Sequence, residues 1–172
     1  MNTKNFVEYW DDLDNLPVSQ VLFVGLSYKL NKNWQILEAF CDSTNSWKVI
    51  QKLEEWCSWI SVHKTNLVKW VPLNNGKIRY PNSKEKEEWL CKLLEEILVI
   101  KPQVVYLFGK QVSDFIIKNT ELEKVSNFEY NFWNIIFVLA YHPSYMYIYK
   151  RKELDNYVNW IVLRILEILW KR

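Results

Sequence analysis

The chain reads as an α/β protein, a three-layer α/β/α sandwich around a mostly parallel central sheet of about four strands. Two observations predict it. Short apolar, β-rich runs stand at residues 21–25 (VLFVG), Val104–Phe108 and Ile135–Ala140, and each reads as a buried strand. Stretches with helical spacing separate them, and strands alternating with helices imply a mostly parallel sheet covered on both faces.

The elements follow in order. The run at 21–25 ends at Gly25 and delivers a loop. Residues 46–60 carry helical spacing through Trp47, Ile50, Leu53 and Trp56. Val62–Val68 is a short strand, followed by a polar loop holding Pro72, Asn74, Asn75, Gly76 and Pro81. Ser83 is the expected N-cap of a periodic helix over 84–100, acidic in its early turns and stopped at Lys101-Pro102. Val104–Phe108 is a second strand, which Gly109 turns into a helix over 112–118. Ile135–Ala140 is a third strand and ends in the loop Tyr141-His142-Pro143-Ser144. An amphipathic helix over 153–170 closes the chain.

Composition bounds the function. At 172 residues the chain suits a single domain spanning 1–172. Hydrophobic residues at 49% and charged residues at 24% are enough to build a core. A net charge of +2 excludes a polybasic binder but not a local basic groove. With three Gly, a Gly-rich phosphate loop is excluded. The cysteines are Cys41, Cys57 and Cys91, with no C-x-x-C pair. That argues against a disulfide framework and a four-thiolate metal site, and for reduced thiols in the cytoplasm. Met1 is followed by polar residues rather than an apolar leader, and the longest apolar run, 135–141, is too short to span a membrane. The expectation is a soluble, cytoplasmic monomer with no membrane association, no metal and no organic cofactor.

In open parallel sheets ligands bind beyond the carboxyl ends of the strands. Loops at 25–29, 66–69 and 142–145 lie there, and a loop at 40–46 can fold over them. His142 is then either a tunable hydrogen-bond donor at the top of the sheet or a loop histidine capping backbone carbonyls. Asn66 offers the donor and acceptor needed to read one edge of a pyrimidine, or is a turn residue. Phe40 either stacks on a base or belongs to the core. Asp42, Ser43 and Asn45 are also candidate N-caps. Tyr141, Tyr145, Tyr147 and Tyr149 interleave with Lys150, Arg151 and Lys152. That mixture suits a nucleic-acid strand, with rings for stacking and cations for phosphates, or a solvated basic helix start. His63 reads as structural or exposed.

Several of these pieces, in this order, resemble the uracil-DNA glycosylase superfamily. Residues 63–72 (HKTNLVKWVP) look like the family's TNxVKCRPP segment, and 101–110 (KPQVVYLFGK) like its KPKVIVLLGK. Tyr141-His142-Pro143-Ser144-Tyr145 matches HPSY, and 22–25 (LFVG) matches the strand of the first motif. The likeness covers nearly the whole chain and is nearest the thermophile-type iron–sulfur branch. Trp70 stands where that branch has a cluster cysteine, Cys91 matches another ligand position, and the paired N-terminal cysteines are absent. The resemblance therefore implies a relative that has lost its cluster and replaced it by packing. Gly25-Leu26-Ser27-Tyr28-Lys29 departs from the branch's GEAPG and is nearer a sister branch's GLAP, with Phe40-Cys41-Asp42 as that branch's Phe–Asp pairing.

The resemblance implies hydrolysis of the N-glycosidic bond of uracil, or another deaminated base, flipped out of single- or double-stranded DNA. Phe40 would stack on the base, Asn66 would read its edge, and Gly25, Leu26 and Ser27 would line it. His142 would stabilise the departing base, and Asp42 would orient water. The loop from Ser144 to Tyr149 would wedge into the duplex, Pro143, Ser144 and Tyr145 would contact DNA, and Lys150 and Arg151 would sit on phosphates. Two alternatives stand beside this one. The chain is a catalytically silent relative that binds nucleic acid or a protein partner, or it is an interaction protein using Trp34, Trp47, Trp56 and Trp59 as a contact surface.

Overall fold

The computed structural model describes residues 6–8 (backbone only), 15–42 and 44–171. In chain order the elements are β1 (Phe6–Glu8), β2 (Val21–Ser27), β3 (Lys29–Leu30), β4 (Ile36–Leu37), α1 (Trp47–Trp56), β5 (Val62–Val68), β6 (Trp70–Asn74), β7 (Lys77–Ile78), α2 (Ser83–Ile100), β8 (Val104–Phe108), α3 (Lys110–Asn119), β9 (Glu123–Lys124), β10 (Glu129–Phe132), β11 (Ile135–Ala140), α4 (Pro143–Tyr149) and α5 (Leu154–Trp170).

The central sheet runs β5-β2-β8-β11-β10-β9. The first four strands are parallel and the last two antiparallel. The expected parallel core of four strands is therefore present, extended by a hairpin edge to six. Along β2 and β8 successive side chains go to opposite faces, as pleating requires. Val21, Phe23, Val104, Tyr106 and Phe108 pack with α1, α4 and α5. Leu22, Val24, Val105 and Leu107 pack with α2 and α3. Both faces are covered and the sandwich has three layers. Tyr106 can be buried in the first layer because its hydroxyl donates to the Ile161 carbonyl at 3.1 Å. Among the described residues no helix is long and apolar enough to cross a membrane.

The structure corrects the local reading in four places. Residues 72–81 are not one loop: β6 pairs with β1 and β7 in a small antiparallel sheet. The N-cap of α2 is Asn82 rather than Ser83. Asn82 has extended backbone, and its side chain accepts from Glu85 N–H at 3.0 Å while Glu85 reaches back to Asn82 N–H at 2.8 Å. At α1 the capping oxygen is Thr44 Oγ1, which accepts from Trp47 N–H at 3.3 Å. Ser43, one of the expected caps, lies outside the described residues. The segment after His142 is the helix α4 rather than a loop, with Pro143 at its first position, where its fixed φ and missing N–H cost nothing.

Where the resemblance calls for cluster-replacing packing, Trp70 meets Trp89 edge-on, ring centroids 5.8 Å apart. Among the described residues no three His, Cys, Asp or Glu side chains converge as metal ligands. The residues present thus do not fit a cluster, and no step below runs through one.

Beneath the carboxyl end of β5 lies a buried charged group. Lys69 Nζ donates to Thr65 Oγ1 and to Glu96 Oε2, and Glu96 is fully buried on α2. His63 Nε2 stands 3.8 Å from Glu96 Oε1, an ion-pair distance rather than a hydrogen bond. Burial pushes the Glu96 carboxyl up, but facing His63, Lys69 and Thr65 outweighs this and holds it below its ordinary range. Removing one partner leaves an uncompensated buried charge. Lys69→Met should therefore lower stability in urea unfolding by about 3–5 kcal/mol. The double variant Lys69→Met/Glu96→Leu should recover most of that loss. A single variant as stable as wild type would contradict this account.

Candidate functional site

At the sheet's centre β2 leads through α1 to β5 on one side, and β8 leads through α3 to β11 on the other. Such a switch point opens a crevice at the carboxyl ends of the strands. The main cavity is there, about 1120 Å³ in volume, and its lining includes Ser27 after β2, Asn66 on β5, Gly109 after β8 and His142 after β11. The strand-end residues marked from the sequence thus converge.

Its floor is set by a missing side chain. Gly25 pairs in parallel register with Asn66. A Cβ at Gly25 would lie 2.3 Å from Asn66 Oδ1 and 3.1 Å from Phe40 Cζ. Real Cβ atoms do not come within 2.3 Å of an oxygen, so Gly25 leaves room for the Asn66 carboxamide and, beside it, for the Phe40 ring. Asn66 is 5% exposed, which limits its freedom to reorient. Phe40 sits at φ 56°, a left-handed conformation costly for a side chain with a Cβ. Its ring is held edge-on to Phe108, centroids 5.5 Å apart, and lies 6.4 Å from the His142 ring. Strained backbone held by packing is a feature of sites that must keep one side chain in place.

His142 is the N-cap of α4. Its Nδ1 accepts from Ser144 N–H at 3.3 Å and lies 2.8 Å from Ser144 Oγ. A backbone N–H can only donate, so Nδ1 carries no proton and the neutral ring holds it on Nε2. Burial, with the charge of Lys29 adding to it, pushes the imidazolium down to about 4. At neutral pH His142 is therefore an uncharged Nε2–H donor. Tyr157 fixes the backbone before it by donating to the Tyr141 carbonyl at 2.5 Å. On the other side Gly109 gives clearance, since a Cβ there would meet His142 Cβ at 3.2 Å.

The other expected residues divide. Leu26, Ser27, Ser144 and Tyr145 line the cavity, and Gly25 lies beneath it. Pro143 is buried at the start of α4. Asp42 is exposed and lies outside the lining, whereas Glu38 lines it two residues before Phe40. No local pattern announces Glu38, because the segment before Phe40 has no periodicity and holds only the two-residue strands β3 and β4. Lys150 pairs with Glu153 at 2.9 Å, and Arg151 stacks over the Tyr147 ring at 5.3 Å; both lie outside the lining. Of the expected tryptophan surface, Trp34, Trp56 and Trp59 are exposed and Trp47 is half-buried, with Lys64 over its ring.

The family model described as the Uracil DNA glycosylase superfamily matches residues 19–163. No curated protein matches the chain.

Two outcomes follow from this geometry. In a ¹⁵N NMR titration the His142 ring should stay neutral and Nε2-protonated through pH 7 and titrate near 4. Unfolding returns it to its ordinary value of 6.5. The folded state thus resists protonation, and its stability falls as pH drops from about 6.5 towards 4, by up to about 3 kcal/mol. A His142→Gln variant should lose less over that window, and an equal loss would contradict the assignment. Gly25→Ala should displace the Asn66 carboxamide, moving its side-chain amide signals while the remaining spectrum stays native. Unmoved amide signals would contradict the floor described here.

Proposed function

The chain belongs to the uracil DNA glycosylase superfamily, whose members act on DNA, and we propose that it removes uracil, or another deaminated base, from DNA. The observation that carries this reading is the locked His142 tautomer, a neutral Nε2–H donor, on the same cavity as Asn66 and Phe40. A base extruded from the helix enters the cavity. Phe40 stacks on it, and the Asn66 carboxamide meets its donor–acceptor edge with one acceptor and one donor. The glycosidic bond then breaks, its electron pair leaves with the base, and negative charge grows on a base oxygen. His142 Nε2–H donates to that oxygen without giving up its proton. A preorganised donor in a water-poor site is worth most at that moment. Burial keeps His142 neutral, and the charge of Lys29, which adds to that effect, favours the departing anion as well.

The oxocarbenium-like sugar left behind is captured by water: its oxygen bonds to the anomeric carbon, and its proton passes by way of the orienting carboxylate and solvent to the base anion, leaving a free neutral base and an abasic sugar. Two carboxylates contend for orienting that water: Asp42, from its order after Phe40, and Glu38, from its place in the cavity lining. The lining favours Glu38. The silent-relative reading draws on the first motif, where Leu26 stands at the glutamate of GEAPG, on the lost cluster cysteines and on the short length.

The test is strand nicking: labelled single- and double-stranded DNA carrying one uracil, treated with alkali after incubation. Wild type should cleave at uracil and leave the uracil-free strand intact. His142→Ala and Asn66→Ala should each lose roughly 100-fold or more in rate, the scale of removing one preorganised donor. Glu38→Gln should fall further than Asp42→Asn. No cleavage by wild type, with DNA binding retained, would assign the silent relative instead.

A further inference from the structure

The cavity is larger than one base needs, and part of its wall has no role in the reading above. Drug-sized pockets run to about 1000 Å³, yet this one reaches 1120 Å³ by extending along α4 to Tyr149 and Trp160. Tyr145 and Tyr149, four residues apart, share one side of that helix, and Tyr141, just before its N-cap, extends the row. Their centroids are 5.8 and 5.5 Å apart, with rings tilted 30° and 40° to each other. All three line the cavity and stay exposed, at 64%, 41% and 72%. Large aromatic rings left in water in register along a cavity wall point to a ligand with flat faces. Tyr147 goes the other way: it packs partly buried towards α1, takes a hydrogen bond from Lys48 at 3.1 Å, and lies beneath the Arg151 guanidinium. Lys48 on α1 and Arg151 after α4 thus surround Tyr147, and the cavity side of α4 is left to the other tyrosines.

We propose that the Tyr141–Tyr145–Tyr149 ladder is a stacking site for unpaired bases next to the extruded one, and that it makes the protein prefer single-stranded over duplex DNA. This rests on the nucleic-acid part of the preceding reading and names the form of the substrate. Ring spacing decides the form. Bases in a duplex stack about 3.4 Å apart, so successive paired bases cannot face successive rings 5.5–5.8 Å apart. A single strand can open its stack and place one base on each ring, since every base has a π face to offer. The ladder shares one cavity with Asn66 and His142, which puts it beside the base that the preceding reading places there.

The test uses DNA without uracil, so its outcome does not depend on catalysis. Binding of fluorescein-labelled oligothymidylate, alone or annealed to its complement, is followed by anisotropy at fixed salt. The single strand should bind at least roughly tenfold tighter than the duplex. Tyr145→Ala/Tyr149→Ala should weaken single-strand binding at least roughly tenfold, the scale of one lost base–ring stack. Duplex binding should change far less. Tyr145→Phe/Tyr149→Phe keeps the rings and should bind as wild type, which separates stacking from a hydroxyl contact or misfolding. An alanine pair that binds single strands as wild type does, or that loses both forms of DNA equally, would overturn the proposal. So would a dimer in sedimentation that the alanine pair dissociates, because the ladder would then be a subunit contact. An enzyme that excises uracil yet shows no single-strand preference would sink the ladder alone and leave the glycosylase reading standing.

Discussion

The site depends on an absence, the side chain that Gly25 lacks. Two neighbouring parallel strands, β2 and β5, place Gly25 and Asn66 side by side, and only a hydrogen on Gly25 lets the carboxamide and the Phe40 ring share that point. The remaining geometry builds outward from this clearance. Phe40 is held in a left-handed conformation by its contact with Phe108. The other side of β5, through Thr65, is anchored to α2 by the buried Lys69–Glu96 pair. Asn66 thus lies on a strand fixed from both faces, and a group meant to read one edge of a base needs that fixity, because a freely rotating carboxamide offers both patterns.

His142 joins the fold to the chemistry in a different way. Its Nδ1 does structural work by capping α4, and this leaves Nε2 as the donor. The same burial that makes a positive charge unfavourable there makes a neutral donor effective, because hydrogen bonds strengthen where water is scarce. In the proposed reaction no proton needs to be transferred by the ring, so a value near 4 is no handicap. The structural role and the donor role therefore reinforce each other.

Much of this was legible in the sequence, and the reasons differ by element. β2, β8 and β11 were readable because strands buried on both faces are nearly continuous apolar runs. His142 was readable as a polar residue just past such a run, and Asn66 as a carboxamide after Thr65 near the end of the strand β5. β9 and β10 were not: they are short, half-buried or exposed, and their EK and EYNF sequences lack a clear alternation. α4 is not legible as a helix because its tyrosines favour strands locally, and packing against α1 decides the matter. The Lys69–Glu96 pair spans 27 residues and no local pattern announces it. Gly25 was visible as the end of a strand, but its clearance for Asn66 follows from sheet order, which the sequence does not state.

The central claim is that one cavity recognises a uracil-like edge through Asn66 and His142. Titrating free uracil into ¹⁵N-labelled protein, with cytosine as the comparison, tests it most directly. The account predicts saturable shifts of the Asn66 side-chain amide and the His142 Nε2 signal with uracil, and far weaker ones with cytosine. Equal responses to both bases, or none at either residue, would contradict it.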